Sequence, residues 1–312
     1  MIDKRLKLFQ QIWELKSFSA AAAMLGMSQP NATMQLRRLE EELGVRLLER
    51  DTRSIKLTPE GRTLLAELGN LNAAAEQLQR KLAGLGRGIR NFAIGGTQTA
   101  GNFVLPELMA AYMNRHRDTR LHLSIGNTAM IAEKIQQGFL ELALVEGPFD
   151  RNWFLYRKFA DDELLATGRP ELLAGAETLT GYLKNGGMLL LREAGSGTRY
   201  HFDRFCMERR IEVPGSQTLV VESLEAIKEL AINGVGISFL SPLATRRERR
   251  YGLLECAPVG EGRILRELNF IHAPGADLKF AESFLDFCRE KAAAAGADES
   301  ISSSFRSTPF RQ

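Results

Sequence analysis

The sequence has 312 residues, of which 44% are hydrophobic and 25% are charged. This length and composition are those of a globular protein with two or more domains, and they exclude a largely disordered or fibrous chain. No run of about 18 apolar residues is present, and the N-terminus lacks an apolar signal core, so we expect a cytoplasmic protein. Three isolated cysteines, Cys206, Cys256 and Cys288, argue against a disulfide framework or a structural zinc site.

The net charge of +3 lies entirely in the first 58 residues. That part holds ten Lys or Arg against seven Asp or Glu, whereas the rest of the chain holds 31 of each. A local positive excess attracts nucleic acid phosphates. An imbalance of three charges is also common on ordinary protein surfaces, so the charge alone does not decide between these interpretations.

The helix predicted over residues 28–44 is central to the interpretation of the chain. Ser28 caps its first turn, Pro30 suits that turn, and Gly44 supplies a left-handed end. An Ala-rich segment and a break at Gly26 precede it. Its apolar residues recur at intervals of four, three and four and predict one buried stripe: Ala32, Leu36, Leu39 and Leu43.

The other faces of this helix are polar or basic, with a length and chemistry that suit the major groove of DNA. Candidate DNA-contacting residues are Ser28, Gln29, Pro30, Asn31, Thr33, Met34, Gln35, Arg37 and Arg38. Two short apolar runs, within residues 46–50 and 55–57, surround a polar, basic tip and predict a small hairpin beside the helix. Its Arg50, Arg53 and Lys56 are candidates to contact phosphates while the helix contacts bases.

These segments, in this order and spacing, resemble the N-terminal winged helix-turn-helix of LysR-type transcriptional regulators. The resemblance lies in residues 18–22, 28–30, 38–40, 43–44, 47–50 and 57–61. Residues 31–34 depart from the family pattern, so the operator sequence is not carried over from a relative. The competing hypothesis is a solute-binding or substrate-binding α/β protein without DNA function, which leaves residues 18–58 unexplained.

Residues 58–60, Thr-Pro-Glu, predict the start of a long helix. Apolar residues then follow a seven-residue repeat at Leu64, Leu68, Leu71, Ala75, Leu78 and Leu82. Such a repeat favours packing against a partner helix, although packing on the same chain is the alternative. A dimer would bring two recognition helices to one duplex. The resemblance implies that residues 1–58 form the DNA-binding domain. It also implies that residues 59–87 form the linker (dimerisation) helix, which ends at a glycine-rich boundary.

Beyond this boundary, apolar runs alternate with helical patterns, which indicates a mostly parallel sheet covered by helices. The predicted fold class is α/β overall, with a winged helix-turn-helix, a long linker helix and a two-lobed α/β effector-binding domain. The resemblance likens this last domain, 88–292, to periplasmic solute-binding proteins. We expect lobe I at about 90–160 and 266–292, lobe II at about 161–265, and a disordered tail at 293–312.

Two glycine-rich loops, 95–101 and 192–199, each precede a predicted helix and predict an anion site in the cleft between the lobes. A helix-capping turn needs the same residues. The second loop resembles that of regulators of sulfur assimilation, sulfite response and carbon fixation, which implies an inorganic oxyanion or a small carboxylate as effector. The candidate contacts are Thr97, Gln98, Thr99, Asn127, Glu146, Ser196, Gly197 and Thr198. Glu146 would repel an anion unless it is paired with a basic residue. The alternatives are that it receives an ammonium group, which makes a zwitterion a candidate effector, or that it caps a turn.

The sequence does not favour an enzyme. Its four histidines lack metal-ligand spacing, the loop at 195–199 lacks the lysine of a phosphate-binding Walker loop, and Ser196 lacks a Gly-x-Ser-x-Gly pattern. We therefore expect no metal and no cofactor besides a small effector. The expected partners are double-stranded DNA and further copies of the chain in a dimer or tetramer. RNA polymerase is a further candidate partner, and no membrane is expected.

Overall fold

The computed structural model describes residues 3–51, 54–85, 89–274 and 278–294. The chain divides into two compact units, Met1–Arg87 and Gly88–Gln312. None of the helices described in either unit combines the length and the apolar character that crossing a bilayer requires.

The first unit is built from helices and one small hairpin. Its elements are α1 (Lys4–Leu15), α2 (Phe18–Met24), α3 (Gln29–Leu43), β1 (Leu48–Asp51), β2 (Ser54–Leu57) and α4 (Pro59–Leu85). The Ser28 hydroxyl caps α3 by accepting a bond from the Asn31 N–H at 3.4 Å, and Gly44 ends the helix in the left-handed conformation. Leu43 is exposed, contrary to prediction, because the buried stripe of α3 ends one turn earlier, at Leu39.

The hairpin is held beside α3 by a side chain of that helix. The Glu40 carboxylate accepts hydrogen bonds from the N–H groups of Leu47 at 2.8 Å and Leu48 at 3.3 Å, where β1 begins. Strands β1 and β2 then pair in antiparallel fashion, as predicted. The Thr58 hydroxyl caps α4 by accepting a bond from the Gly61 N–H at 2.9 Å. Local polar contacts therefore set where the hairpin lies and where the long helix begins.

The second unit alternates strands and helices. Its first half contains β3 (Arg90–Thr97), a π-helical turn (Ala100–Val104), α5 (Leu105–Arg115), β4 (Thr119–Gly126), α6 (Thr128–Gln136), β5 (Leu142–Val145), β6 (Leu155–Gly168), α7 (Pro170–Leu173) and α8 (Leu179–Lys184). Its second half contains β7 (Leu189–Leu191), α9 (Gly197–Arg209), a 3-10 turn (Gly215–Gln217), β8 (Thr218–Val220), α10 (Leu224–Ile232), β9 (Ser238–Leu240), α11 (Arg246–Arg250), β10 (Glu255–Ala257), β11 (Ile264–His272) and α12 (Leu278–Ala294).

The main sheet of this unit is mixed, so the prediction of a mostly parallel sheet is wrong. Among the described residues the strand order is β10-β6-β11-β5-β3-β4, with β9 also paired to β6. Strand β3 is parallel to β4 and β5, but β11 is antiparallel to both β5 and β6. The sequence pattern did not reveal β6, because the acidic run 161–163 interrupts its apolar alternation.

Strands β6 and β11 connect two lobes with separate hydrophobic cores. Phe159 of β6 and Phe270 of β11 pack in the core of the first lobe. Further along the same two strands, Leu164 and Ile264 pack in the core of the second lobe. The polar middle of this strand pair therefore lies where the chain passes from one lobe to the other.

Candidate DNA interface and effector cleft

Helix α3 presents a polar face opposite its buried stripe. Of the predicted DNA-contacting residues on this helix, Ser28, Gln29, Pro30, Met34, Arg37 and Arg38 are exposed, whereas Asn31, Thr33 and Gln35 are half-buried. Ala32, Leu36 and Leu39 fill the core on the other side. This face combines two guanidinium groups with amide and hydroxyl groups, which are the chemical groups that contact phosphates and base edges.

The hairpin adds basic residues next to this face. Lys56 on β2 is exposed. Arg50 lies on β1, but its side chain is outside the described part of the structure, and so is the whole of Arg53. A recess of about 680 Å³ separates α3 from the residues that lead into β1, and Arg37 and Arg46 line it from its two sides.

The leucine repeat of α4 changes its surroundings along the helix. Leu64 is partly buried and Leu68 is buried in the core of the first unit, so these two side chains pack on their own chain. The later members are half-buried or exposed: Leu71 (51%), Ala75, Leu78 (59%) and Leu82 (58%). Large exposed apolar side chains in a seven-residue repeat are typical of a helix that packs against a partner.

The ends of two strands in the first lobe lie opposite the N-terminus of a helix in the second lobe. Thr97 ends β3 and Glu146 directly follows β5, at the same edge of the parallel strands. Asn127 caps α6, where its Oδ1 accepts a bond from the Met130 N–H at 3.0 Å. On the second lobe, Ser196 precedes α9 and Thr198 lies in its first turn. The structure thus brings the two glycine-rich loops together, as their sequence pattern predicts.

The guanidinium of Arg266 on β11 lies at the centre of this cleft and is fully buried. It donates to the Asp162 carboxylate at 2.8 Å. It also donates to the Thr198 hydroxyl at 3.0 Å and to the Thr99 hydroxyl at 3.4 Å. One buried cation therefore joins the hydroxyl groups of both lobes, and charge-assisted bonds of this kind are stronger than neutral ones.

Glu146 pairs with this cation, which is one of the alternatives that the sequence left open. Its carboxylate lies 3.6 Å from the Arg266 guanidinium and accepts a hydrogen bond from the Thr97 hydroxyl. Burial raises the pKa of Glu146, and the attraction of Arg266 offsets part of that rise. Protonation of Glu146 would leave Arg266 with the Asp162 carboxylate as its charged partner.

Other predicted contacts bridge the lobes directly. The Gln98 amide donates to the Glu222 carbonyl at 3.3 Å and accepts from the Leu224 N–H at 3.0 Å. The Asn127 amide donates to the Glu193 carboxylate at 3.3 Å. These bonds and the burial of the threonine hydroxyls show that the lobes are closed on each other in this conformation.

Two glycines mark the closest approach of the lobes. A Cβ atom on Gly197 would lie 2.6 Å from the Cα of Gly147, so no side chain fits at this point. Beside them, the His201 imidazole Nε2 lies 3.0 Å from the Glu146 carbonyl oxygen. Burial, followed by the repulsion of Arg266, lowers the pKa of His201 to about 4. The ring is therefore neutral near pH 7, with Nε2–H as the donor.

Arg266, Asp162 and His201 were not identified from the sequence. The sequence of β11 does contain a pattern that points to Arg266. Ile264, Arg266 and Leu268 are at alternate positions of the strand and share a buried face. A charged residue at an inward position of a strand needs a buried partner. Asp162 and His201 become partners only through the tertiary fold.

The described residues contain no group of three or more His, Cys, Asp and Glu side chains that could hold a metal ion. The three cysteines are free thiols, and two of them, Cys206 and Cys288, are buried. Burial raises the pKa of Cys206 to about 12, and it also raises the pKa of Cys288.

Comparison with known proteins gives consistent results along the chain. Residues 4–62 match the family model for bacterial regulatory helix-turn-helix proteins of the lysR family, and residues 88–293 match the LysR substrate binding domain. The HTH-type transcriptional regulator CysL of Bacillus subtilis strain 168 is 27% identical over 271 residues, which cover 86% of this chain and 90% of CysL.

Solved structures share the fold. Full-length CbnR in complex with its target DNA has a TM-score of 0.74 at 20% identity, covering 93% of this chain and 99% of CbnR. The regulatory domain of Synechocystis PCC6803 CcmR in complex with 2-PG has a TM-score of 0.58 at 24% identity, covering 67% of this chain and 98% of that domain. The chain therefore belongs to the LysR family and is a DNA-binding transcriptional regulator with an effector-binding domain.

Proposed function

We propose that this protein is a homo-oligomeric regulator that binds DNA through the polar face of α3 and senses a small oxyanion or carboxylate in the cleft between its lobes. The observation that carries the effector proposal is the convergence of hydroxyl groups from both lobes on one buried guanidinium, that of Arg266. Guanidinium, hydroxyl and helix-start N–H groups are the donors that proteins use to bind anions.

The DNA contacts follow from exposure and chemistry. Gln29, Asn31, Thr33 and Gln35 carry groups that bond base edges, whereas Arg37 and Arg38 reach bases or phosphates. Arg50 and Arg53 of the hairpin are proposed phosphate contacts. In a dimer joined through Leu71, Leu78 and Leu82, two copies of α3 would meet half-sites about one helical turn, roughly 34 Å, apart.

The effector would act by changing which groups pair with the Arg266 guanidinium in the cleft. In the closed conformation the Arg266 guanidinium is already paired with the carboxylates of Asp162 and Glu146. An anion that competes for Arg266, Thr99 and Thr198 would replace contacts between the lobes and favour a different lobe arrangement. A ligand shifts a conformational equilibrium only by its difference in affinity for the two states. Sulfur oxyanions are the leading candidates because of the resemblance of the 192–199 loop.

DNA binding is tested by fluorescence anisotropy of the full chain on a two-fold fragment selected for binding to the wild type. Arg37→Ala should weaken binding about tenfold and reduce the salt dependence by the equivalent of about one phosphate contact. The matched control is Arg120→Ala, which removes an exposed guanidinium of the effector-binding unit. Equal affinities of the two variants would contradict the assignment of Arg37 to the DNA interface.

Effector binding is tested by thermal shift with sulfite, sulfate, thiosulfate, small carboxylates and amino acids. A ligand present at 100 times its Kd stabilises the folded state by about 2.7 kcal/mol. The double variant Ser196→Ala with Thr99→Val removes one hydroxyl from each lobe and should lose most of this shift. Ser216→Ala, at an exposed position, should keep it. A ligand that stabilises the double variant as much as the wild type does not bind in the proposed cleft.

A further inference from the structure

A second cavity of about 490 Å³ lies between the lobes, beside the effector cleft. The loop after β5 forms one wall, the outer face of α9 forms another, and β11 forms the floor. Two residues of the effector cleft, Glu146 and Arg266, also border this cavity. Its volume falls within the range of small-molecule sites.

The floor of this cavity carries a buried acceptor. Asn269 is 3% exposed, and its Nδ2 donates to the Glu267 carbonyl at 3.4 Å. Its Oδ1 has no hydrogen-bond partner among the described residues. The register of β11 against β6 shifts between Leu268 and Asn269, and such a bulge re-aims the side chain that follows it. A buried acceptor without a donor costs free energy, which a ligand that donates to it recovers.

The wall formed by α9 supplies a second acceptor. His201 Nε2 bonds the carbonyl oxygen of Glu146 at 3.0 Å, and since a carbonyl only accepts, Nε2 must carry the proton. The Nδ1 atom of a neutral imidazole is then an acceptor. Asn269 and His201 both line the cavity. A ligand with hydroxyl groups can donate to both.

Guanidinium groups of the lining offer hydrogen-bond donors to an anion. Three guanidinium groups, those of Arg151, Arg204 and Arg266, face two carboxylates, those of Glu146 and Glu267. Arg151 pairs with Glu267 at 3.2 Å and lies over the Phe149 ring, which holds it at the rim of the cavity. Asp162 pairs with Arg266 and Glu208 pairs with Arg204, so the donors open to an anion are the exposed guanidinium groups at the rim, those of Arg151 and Arg204.

We propose that this cavity binds a small hydroxycarboxylate. Its hydroxyl groups donate to Asn269 Oδ1 and His201 Nδ1, and its carboxylate meets the guanidinium groups of Arg151 and Arg204. A carboxylate without a hydroxyl leaves both acceptors unpaired, and a site built around such bonds rejects analogues that lack them. Because both lobes contribute walls, a bound molecule stabilises the arrangement of lobes that this structure shows.

Isothermal titration calorimetry of the full chain with L-malate and tartrate tests the proposal, with succinate as the matched ligand that lacks a hydroxyl. Tartrate, which carries two hydroxyl groups, should bind saturably, and L-malate, whose single hydroxyl can pair only one of the two acceptors, should bind more weakly. Succinate, which has no hydroxyl, should bind at least about tenfold more weakly than tartrate. Asn269→Leu keeps the side-chain volume but removes the acceptor, and it should weaken hydroxycarboxylate binding about tenfold. Ser216→Ala, at an exposed position outside the lining of the cavity, is the control and should bind as the wild type does.

Three results would overturn the proposal: no saturable binding of either hydroxy acid, equal affinity for succinate, or binding that is lost in the cleft double variant Ser196→Ala with Thr99→Val but kept in Asn269→Leu. Failure of the proposed effector cleft is a separate result, because its ligands are tested through Ser196 and Thr99. If Asn269→Leu does not fold, Arg204→Gln decides instead. That side chain is exposed and pairs with Glu208, so its replacement leaves the core intact and should weaken binding of the hydroxy acid.

Discussion

Replacement of Arg266 by methionine tests the geometry of the cleft most directly. The guanidinium is fully buried and lies 2.7 Å from the Asp162 carboxylate and 3.6 Å from that of Glu146. Methionine keeps much of the side-chain volume but removes the positive charge. Two buried carboxylates would then lie together without a cation between them.

Removal of one partner from a buried ion pair costs about 3–5 kcal/mol. Glu146 can relieve part of this cost by taking up a proton, because burial already raises its pKa. We therefore expect the free energy of unfolding of the second unit to fall by about 3 kcal/mol. For a domain of this size that loss lowers the melting temperature by roughly 6–12 °C.

Urea unfolding of the full chain, followed by circular dichroism, measures this loss. The matched control is Arg263→Met, which removes a 67% exposed guanidinium whose partner is Glu163 at 2.7 Å. An exposed pair of this kind contributes about 0–1 kcal/mol. Adding Asp162→Asn to Arg266→Met should recover part of the stability, because one of the two uncompensated charges is removed. Equal losses for Arg266→Met and Arg263→Met would refute the argument from burial.

Three further predictions follow from other parts of the chain. Leu71→Glu with Leu78→Glu should dissociate the oligomer, since both side chains are exposed on one face of α4, and an unchanged sedimentation profile would exclude that interface. Stability should fall as the pH drops from 6.5 to about 4, because the unfolded chain protonates His201 before the folded chain does. After allowance for partial exposure, the loss is on the order of 2 kcal/mol, and His201→Gln should flatten this pH profile. Gly197→Ala should cost about 1–3 kcal/mol in thermal unfolding, whereas Gly215→Ala, which faces open space, should have little effect; equal costs would contradict the close approach of the lobes.

The first unit could be predicted closely because its signals are local. Ser28 and Gly44 mark the two ends of α3, and the capping hydroxyl and left-handed glycine act within one turn of the chain. The hairpin and the start of α4 follow from equally short patterns. The burial of Leu68 could not be predicted in the same way, because the repeat on α4 does not reveal where the core of the unit ends.

The second unit was predicted less completely because its central strands are connected over long distances. Strand β6 carries an acidic run in its middle, so periodicity missed it, yet Asp162 in that run bonds Arg266 across 104 residues of sequence. The hydroxyl-rich loops at Thr97 and Thr198 were identified because glycine and threonine before a helix form a local pattern. The guanidinium that joins them was missed because its partners lie on other elements.

The sequence by itself determined the caps, the helical stripes, the seven-residue repeat and the glycine-rich loops, since each depends on neighbours within a few residues. Only the tertiary structure decided that β6 and β11 run antiparallel between the lobes, that Glu146 pairs with Arg266, and that His201 is neutral. The physical reason is that charge pairing and pKa depend on burial and on distances in space. Those are set by which strands lie side by side, and no local pattern in the chain encodes them.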